Sequence, residues 1–162
     1  MTAGARAPAA RPLARRWLIA AGAAAVLGGG ASLARYHLLA PAEEGLLLTP
    51  EEAYRRVRID RLLLVDIRRP DEWQRTGLAV GAHPLDLRRP DFAEALAELA
   101  GGNRRRPVAL ICAAGVRSRR EAEKLEEAGF TRVYDIPEGM EGSRAGPGWL
   151  ARRLPIVPWS GG

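Results

Sequence analysis

The sequence predicts an α/β domain built on a largely parallel sheet. Two short aliphatic runs, "RLLLVDIR" at 61–68 and "PVALIC" at 107–112, are apolar without alternation, the pattern of strands buried on both faces. Segments with helical periodicity come after each of them, "PDFAEALAELAGG" at 90–102 and "RSRREAEKLEEAG" at 117–129. Glycine closes both helical segments, as it commonly does at a helix C-terminus. Parallel strands need such long crossovers, so the alternation and the parallel pairing are one expectation.

Each element has its own signal. "LTPEEAYRRV" at 48–57 opens with Thr49 as N-cap and Pro50 at the first helical position, and Glu52 completes a capping box. "RPDEWQRTG" at 69–77 starts with turn chemistry and accommodates one helical turn. "GAHPLDL" at 81–87 reads as a weak strand interrupted by Pro84. Pro90 opens the next helix, in which Phe92, Leu96 and Leu99 form one stripe. The helix at 117–129 turns Ala122, Leu125 and Ala128 inward, and Arg119, Arg120, Glu121 and Glu123 are expected on a solvated face. "FTRVYDI" at 130–136 is a further strand. The Gly- and Pro-rich stretch from 137 to 157 is expected to hold one short helix near Trp149. Trp73 and Trp149 are expected to pack in the core or as a lid. In open α/β sheets ligands bind at the carboxyl ends of strands. Asp66 and Cys112 both end strong strands, so the two are expected on one edge.

Composition narrows the function. Residues 1–40 carry five arginines and no acid; of 25 bases and 19 acids in all, the other residues hold 20 and 19, a net charge of only +1. No basic stripe with interleaved aromatics appears, so nucleic acid is not an expected partner. Cys112 is the only cysteine, which excludes an internal disulfide and a multi-cysteine zinc site. His37 and His83 are far apart, and neither a metal nor a cofactor is expected.

The first forty residues read as an address. Arg6, Arg11, Arg15 and Arg16 precede an uncharged stretch, Trp17–Ala34, that ends in the small residues "ASLA". Arg15-Arg16 followed by "WLIA" resembles a twin-arginine export signal. Read instead as an uncleaved anchor, residues 17–34 make about 27 Å of helix, enough to span a hydrocarbon core. Both readings place the domain after residue 40 on the periplasmic side, because the arginines stay inside; a cytoplasmic domain with an N-terminal extension is the alternative. The organisation expected is a signal or anchor over 1–40, a domain over 41–158 and a short tail over 159–162.

The stretch after Cys112 carries the chemistry. Ala113, Ala114, Gly115 and Val116 join a strand end to Arg117 and a helix start. Backbone N–H groups at such a junction lack partners of their own and can form an anion nest. Arg117 adds positive charge, and this setting favours a thiolate over a thiol. The plain alternative is a buried strand-end thiol that only packs.

"VDIRRPDEW", "ALICAAGVRS", "AGFTRVYDIPEGMEG" and "GWLARRLPIV", in that order, resemble a single-domain rhodanese-like sulfurtransferase from about Thr49 to Val157. The resemblance implies a central parallel sheet with helices on both faces. It also implies that the Cys112 thiolate takes a sulfane sulfur from an anionic donor (thiosulfate, polysulfide or a thiol persulfide). The resulting persulfide would pass its sulfur to cyanide or a thiol. Ala113, Ala114, Gly115, Val116 and Arg117 would hold the donor, with Asp66, Arg68 and Ser118 as supports; a purely structural hydrogen-bond or ion-pair role is the stronger expectation for Asp66, Arg68 and Glu72, and a monomer is expected. Ala113 stands where many thiosulfate-using members have Arg or Lys, and Met140 replaces a glycine of the family. No role is transferred to His83. A sulfur carrier or partner-binding module is the alternative. A phosphatase or arsenate reductase of the related fold is disfavoured, since the phosphatases place the arginine one residue later.

Overall fold

A computed structural model describes residues 46–161. The signal or anchor reading of residues 1–40 lies outside that range. Helices α1 (Pro50–Val57), α2 (Pro70–Thr76), α3 (Phe92–Leu99) and α4 (Val116–Glu127) are interleaved with strands β1 (Leu63–Asp66), β2 (Leu78–Ala79), β3 (Ala82–Pro84), β4 (Val108–Ile111), β5 (Val133–Asp135) and β6 (Ile156–Val157). The central sheet has the order β3-β1-β4-β5, and every pairing in it is parallel. Strands β1 and β4, the two aliphatic runs, sit in its middle and are buried along their whole length. Register pairs Asp66 with Ile111, so Cys112 leaves the sheet one residue beyond Asp66, at the same edge.

Strand alternation divides the core in two. Leu63, Val65, Val108 and Leu110 face α3 and α4, where Phe92, Leu96, Ala122 and Leu125 complete one cluster. Leu64, Ala109 and Ile111 face the other way, onto Ala53 of α1, Met140 and Trp149. Helices thus cover both faces. The capping box of α1 is formed: Glu52 N–H donates to Thr49 Oγ1 (3.3 Å) and Thr49 N–H to Glu52 Oε2 (3.1 Å).

Several expectations need correction. The turn at 69–77 is a full helix, α2. Pro84 ends β3 rather than breaking it, which is tolerated because β3 is an edge strand. No helix forms near Trp149. Residues 149–153 make successive turns, closed by Arg153 N–H to Leu150 O (3.0 Å) and Leu154 N–H to Trp149 O (3.2 Å). Pro155 has no N–H with which to continue that pattern. Glu121 is buried, with Lys124 folded over it at 3.0 Å, whereas Arg119, Arg120 and Glu123 are exposed. The tryptophans pack as expected: Trp149 is fully buried with its Nε1–H on Pro155 O (2.9 Å), and Trp73 lies edge-on to Trp159 (5.2 Å). The antiparallel β2–β6 pair has no counterpart in the sequence reading.

Candidate active site

Cys112 follows β4 directly and is 1% exposed. Its Sγ lies 3.4 Å from Ser118 Oγ, on the first turn of α4. Ser118 is fully buried, and its hydroxyl also donates to Gly115 O (3.2 Å). Gly115 caps α4 at φ +76, a left-handed conformation that glycine adopts without a side-chain penalty. A Cβ there would lie 2.2 Å from Pro137 O, so the position has no room for one.

The backbone directions in this loop are set from outside it. Met140 N–H donates to Cys112 O (2.8 Å) and Glu141 N–H to Ala113 O (2.9 Å). A peptide unit is planar and trans, so its N–H points opposite to its C=O. The N–H groups of Ala113 and Ala114 therefore point away from the 137–141 segment. Gly115 O accepts from Arg119 N–H (3.2 Å) within α4, which turns the Val116 N–H out of the helix start. Among the described residues, no N–H from Ala113 to Ser118 donates to a backbone acceptor or a side chain. The loop thus carries a run of unsatisfied donors beside a sulfur at a helix N-terminus, an arrangement that stabilises negative charge. Segment 137–141 approaches so closely that a Cβ on Gly139 would meet Ala113 O at 2.4 Å and Cys112 O at 2.7 Å.

On the other flank a side-chain chain of contacts holds the loop. Arg117 Nη1 and Nη2 donate to Glu72 Oε2 (2.9 Å) and Oε1 (2.7 Å) in a two-pronged pair. Glu72 also accepts from Arg69 N–H (2.9 Å) at the start of α2. Burial works against the Glu72 charge, but Arg117 and the Arg69 N–H outweigh it and hold the carboxyl below the usual glutamate range. The Glu72 hydrogen bonds raise Arg117 further above its ordinary value, against the cost of burial.

Asp66 and Arg68 make no hydrogen bond to the loop among the described residues; they fix α2. Both are fully buried. Arg68 Nε and Nη2 reach Asp66 Oδ1 (2.9 Å) and Oδ2 (2.7 Å). Nη1 donates to Thr76 Oγ1 (2.7 Å), and Nη2 also donates to Gly77 O (2.7 Å), at the C-terminal end of α2. Asp66 thus supports Cys112 at second hand, through Arg68, α2, Glu72 and Arg117.

Of the residues read as the site, the structure places Ser118 against Cys112 Sγ and turns the Arg117 guanidinium onto Glu72. The structural ion-pair role expected of Glu72 is met with Arg117 as its partner, a partner no local pattern points to, and the 137–141 segment forms a second wall that the sequence does not announce. A Glu three residues after Arg69 at a helix start signals only the bond from Arg69 N–H. Asp135, at the end of β5, is also buried on this edge, and its Oδ1 has no hydrogen-bond partner among the described residues. Burial pushes its carboxyl up, against the opposing pull of the Ser118 hydroxyl and Arg119. Ala114 and Val116 are exposed, and His83 is exposed on β3. No cluster of His, Cys, Asp and Glu able to hold a metal occurs among the described residues.

Known proteins share this architecture. A family model described as Rhodanese-like domain matches residues 49–145. The thiosulfate sulfurtransferase GlpE of Glaesserella parasuis serovar 5 (strain SH0165) is 31% identical over 109 residues, covering 67% of this chain and 90% of that protein. Among solved structures, Rv0390 from M. tuberculosis is 31% identical with a TM-score of 0.55, over 72% of this chain and 98% of that one. The polysulfide-sulfur transferase homodimer of Wolinella succinogenes superposes with a TM-score of 0.56 at 24% identity, over 80% of this chain and 90% of that one, and shares the fold.

Proposed function

The chain belongs to the rhodanese-like domain family, and from that premise we propose that it is a sulfurtransferase working through a Cys112 persulfide. One observation carries this reading: Cys112 leaves β4 into a loop whose N–H groups have no acceptor among the described residues, against the start of α4. The Cys112 thiolate attacks the outer sulfur of a sulfane donor. The S–S bond of the donor breaks, and its electron pair leaves with the remainder of the donor. The new Cys112 persulfide is an anion when deprotonated, and the loop N–H groups and the helix N-terminus stabilise it. A thiophilic acceptor, cyanide or a thiol, then takes the outer sulfur and restores the thiolate. Ser118 Oγ, in contact with Sγ, positions the sulfur; Arg117 keeps the loop in shape through Glu72. A monomer with a small anionic donor suffices for this cycle.

The test is sulfur transfer to cyanide from thiosulfate, polysulfide or a thiol persulfide. The wild-type chain turns over with at least one donor, and Cys112→Ser does not while keeping its fold. Turnover in the serine variant overturns the mechanism. For residues 1–40 we propose an export signal or anchor that sets the domain on the periplasmic side. Cell fractionation checks it: recovery of the full-length chain in the cytoplasm alone contradicts export.

A further inference from the structure

The Cys112 loop contains a single charged side chain, and that charge is matched. Ala113, Ala114, Gly115 and Val116 are uncharged. Arg117 gives two of its nitrogens to Glu72, at 2.7 and 2.9 Å, and Glu72 is buried to within 5%. The two arginines of α2 and its start are also paired: Arg69 with Asp71 (2.9 Å) and Arg75 with Glu141 (2.9 Å), the residue whose N–H holds Ala113 O. Arg119, Arg120 and Arg144 are exposed and line a cavity together with Ala114, Gly115 and Val116, but Cys112 and Ala113 are not part of its lining.

We propose that Glu72 determines donor choice. By holding Arg117 it leaves the loop with no unpaired cation of its own among the described residues, and this steers Cys112 towards thiol persulfides and away from thiosulfate. The inference rests on Cys112 being the sulfur-accepting nucleophile. The two donors differ in charge at the reacting end. With a persulfide, Cys112–S⁻ and R–S–SH give Cys112–S–SH and R–S⁻: one S–S bond forms, one breaks, and the thiolate R–S⁻ leaves with the electron pair. With thiosulfate, Cys112–S⁻ and S–SO₃²⁻ give Cys112–S–S⁻ and SO₃²⁻. A persulfide carries at most one negative charge at its reacting end even when ionised, whereas the second route brings a dianion against an anion and releases a dianion, so it depends far more on a free cation. Unpaired N–H groups serve both routes alike and do not discriminate between them.

The experiment measures the rate at which the purified full chain gains one sulfur atom at Cys112, by intact mass, from cysteine persulfide and from thiosulfate. Two variants are compared with the wild type. Glu72→Gln keeps the shape of the side chain and releases the Arg117 charge. Ala113→Lys adds a cation without disturbing the Arg117–Glu72 pair. In the wild type the persulfide reacts at least about tenfold faster than thiosulfate at equal concentration. Each variant raises the thiosulfate-to-persulfide ratio by about tenfold, and the gain shrinks as ionic strength rises. A purely structural Glu72 would slow both donors together and leave the ratio unmoved, which overturns the proposal. Equal wild-type rates for the two donors overturn it too, since exposed cations such as Arg144 would then be serving thiosulfate. A wild-type Cys112 that gains sulfur from neither donor overturns the sulfurtransferase reading itself.

Discussion

The two flanks of the Cys112 loop are held by different physics. On the α2 flank the hold is made by side chains and charge: Asp66 fixes Arg68, Arg68 fixes the end of α2, and α2 presents Glu72 to Arg117. On the 137–141 flank the hold is made by backbone: two N–H···O bonds from Met140 and Glu141, and a glycine packed against the loop carbonyls. Carboxylates differ accordingly. Asp66 and Glu72 are fully engaged, whereas Asp135 and Glu138 each keep a buried oxygen without a partner among the described residues. The first flank can therefore be loosened by acid or charge substitution, and the second only by steric change.

The sharpest way to break the α2 flank is Arg68→Ala, which strands the fully buried Asp66 carboxylate. A loss of about 3–5 kcal/mol in denaturant unfolding is expected. On the other flank, Gly139→Ala forces a Cβ against Ala113 O at φ +64, and about 2–4 kcal/mol is expected to be lost at any pH. Glu72→Gln costs less, about 1–2 kcal/mol, because Arg117 stays about a third exposed. Its loss depends on pH. The folded pKa of Glu72 lies below the unfolded one, so its contribution is present above about pH 4.3 and disappears as pH falls through the folded value. Thermal melts should therefore separate wild type and variant at pH 7 and converge in acid.

Asp135→Asn gives the smallest effect and the opposite sign. The folded pKa of Asp135 is raised by burial, so its contribution is complete below about pH 3.9 and is lost as pH rises through the folded value. Asn removes that penalty, and the variant should melt no lower than wild type at pH 7, with any gain within about 1 kcal/mol. A clear destabilisation at pH 7 would show that the Ser118 hydroxyl and Arg119, which pull the carboxyl the other way, outweigh burial.

The same contrast explains what could be read from the chain. β1, β4 and the long α4 were legible because local pattern alone specifies them: unbroken aliphatic runs and a helical stripe. Cys112, Gly115 and Arg117 were legible because the loop is contiguous in sequence. The length of α2 was not, since its C-terminal carbonyl and hydroxyl are satisfied by Arg68, which local periodicity does not report. Glu72 on Arg117 lies 45 residues away in sequence and emerges only when β1 and β4 are paired. The β2–β6 pair, two residues on each side, is too short to leave a pattern. Glu121 was placed on the solvated face by periodicity, but its charge is covered by Lys124 one turn on.

Both flanks serve a single claim, that the loop prepares Cys112 to carry sulfur. Intact mass of the purified chain after brief exposure to cysteine persulfide tests it most directly. The expected result is one added sulfur atom, mapped to Cys112, removed by cyanide and absent in Cys112→Ser. A wild-type chain that remains at its original mass under these conditions, with its fold intact, would contradict the account.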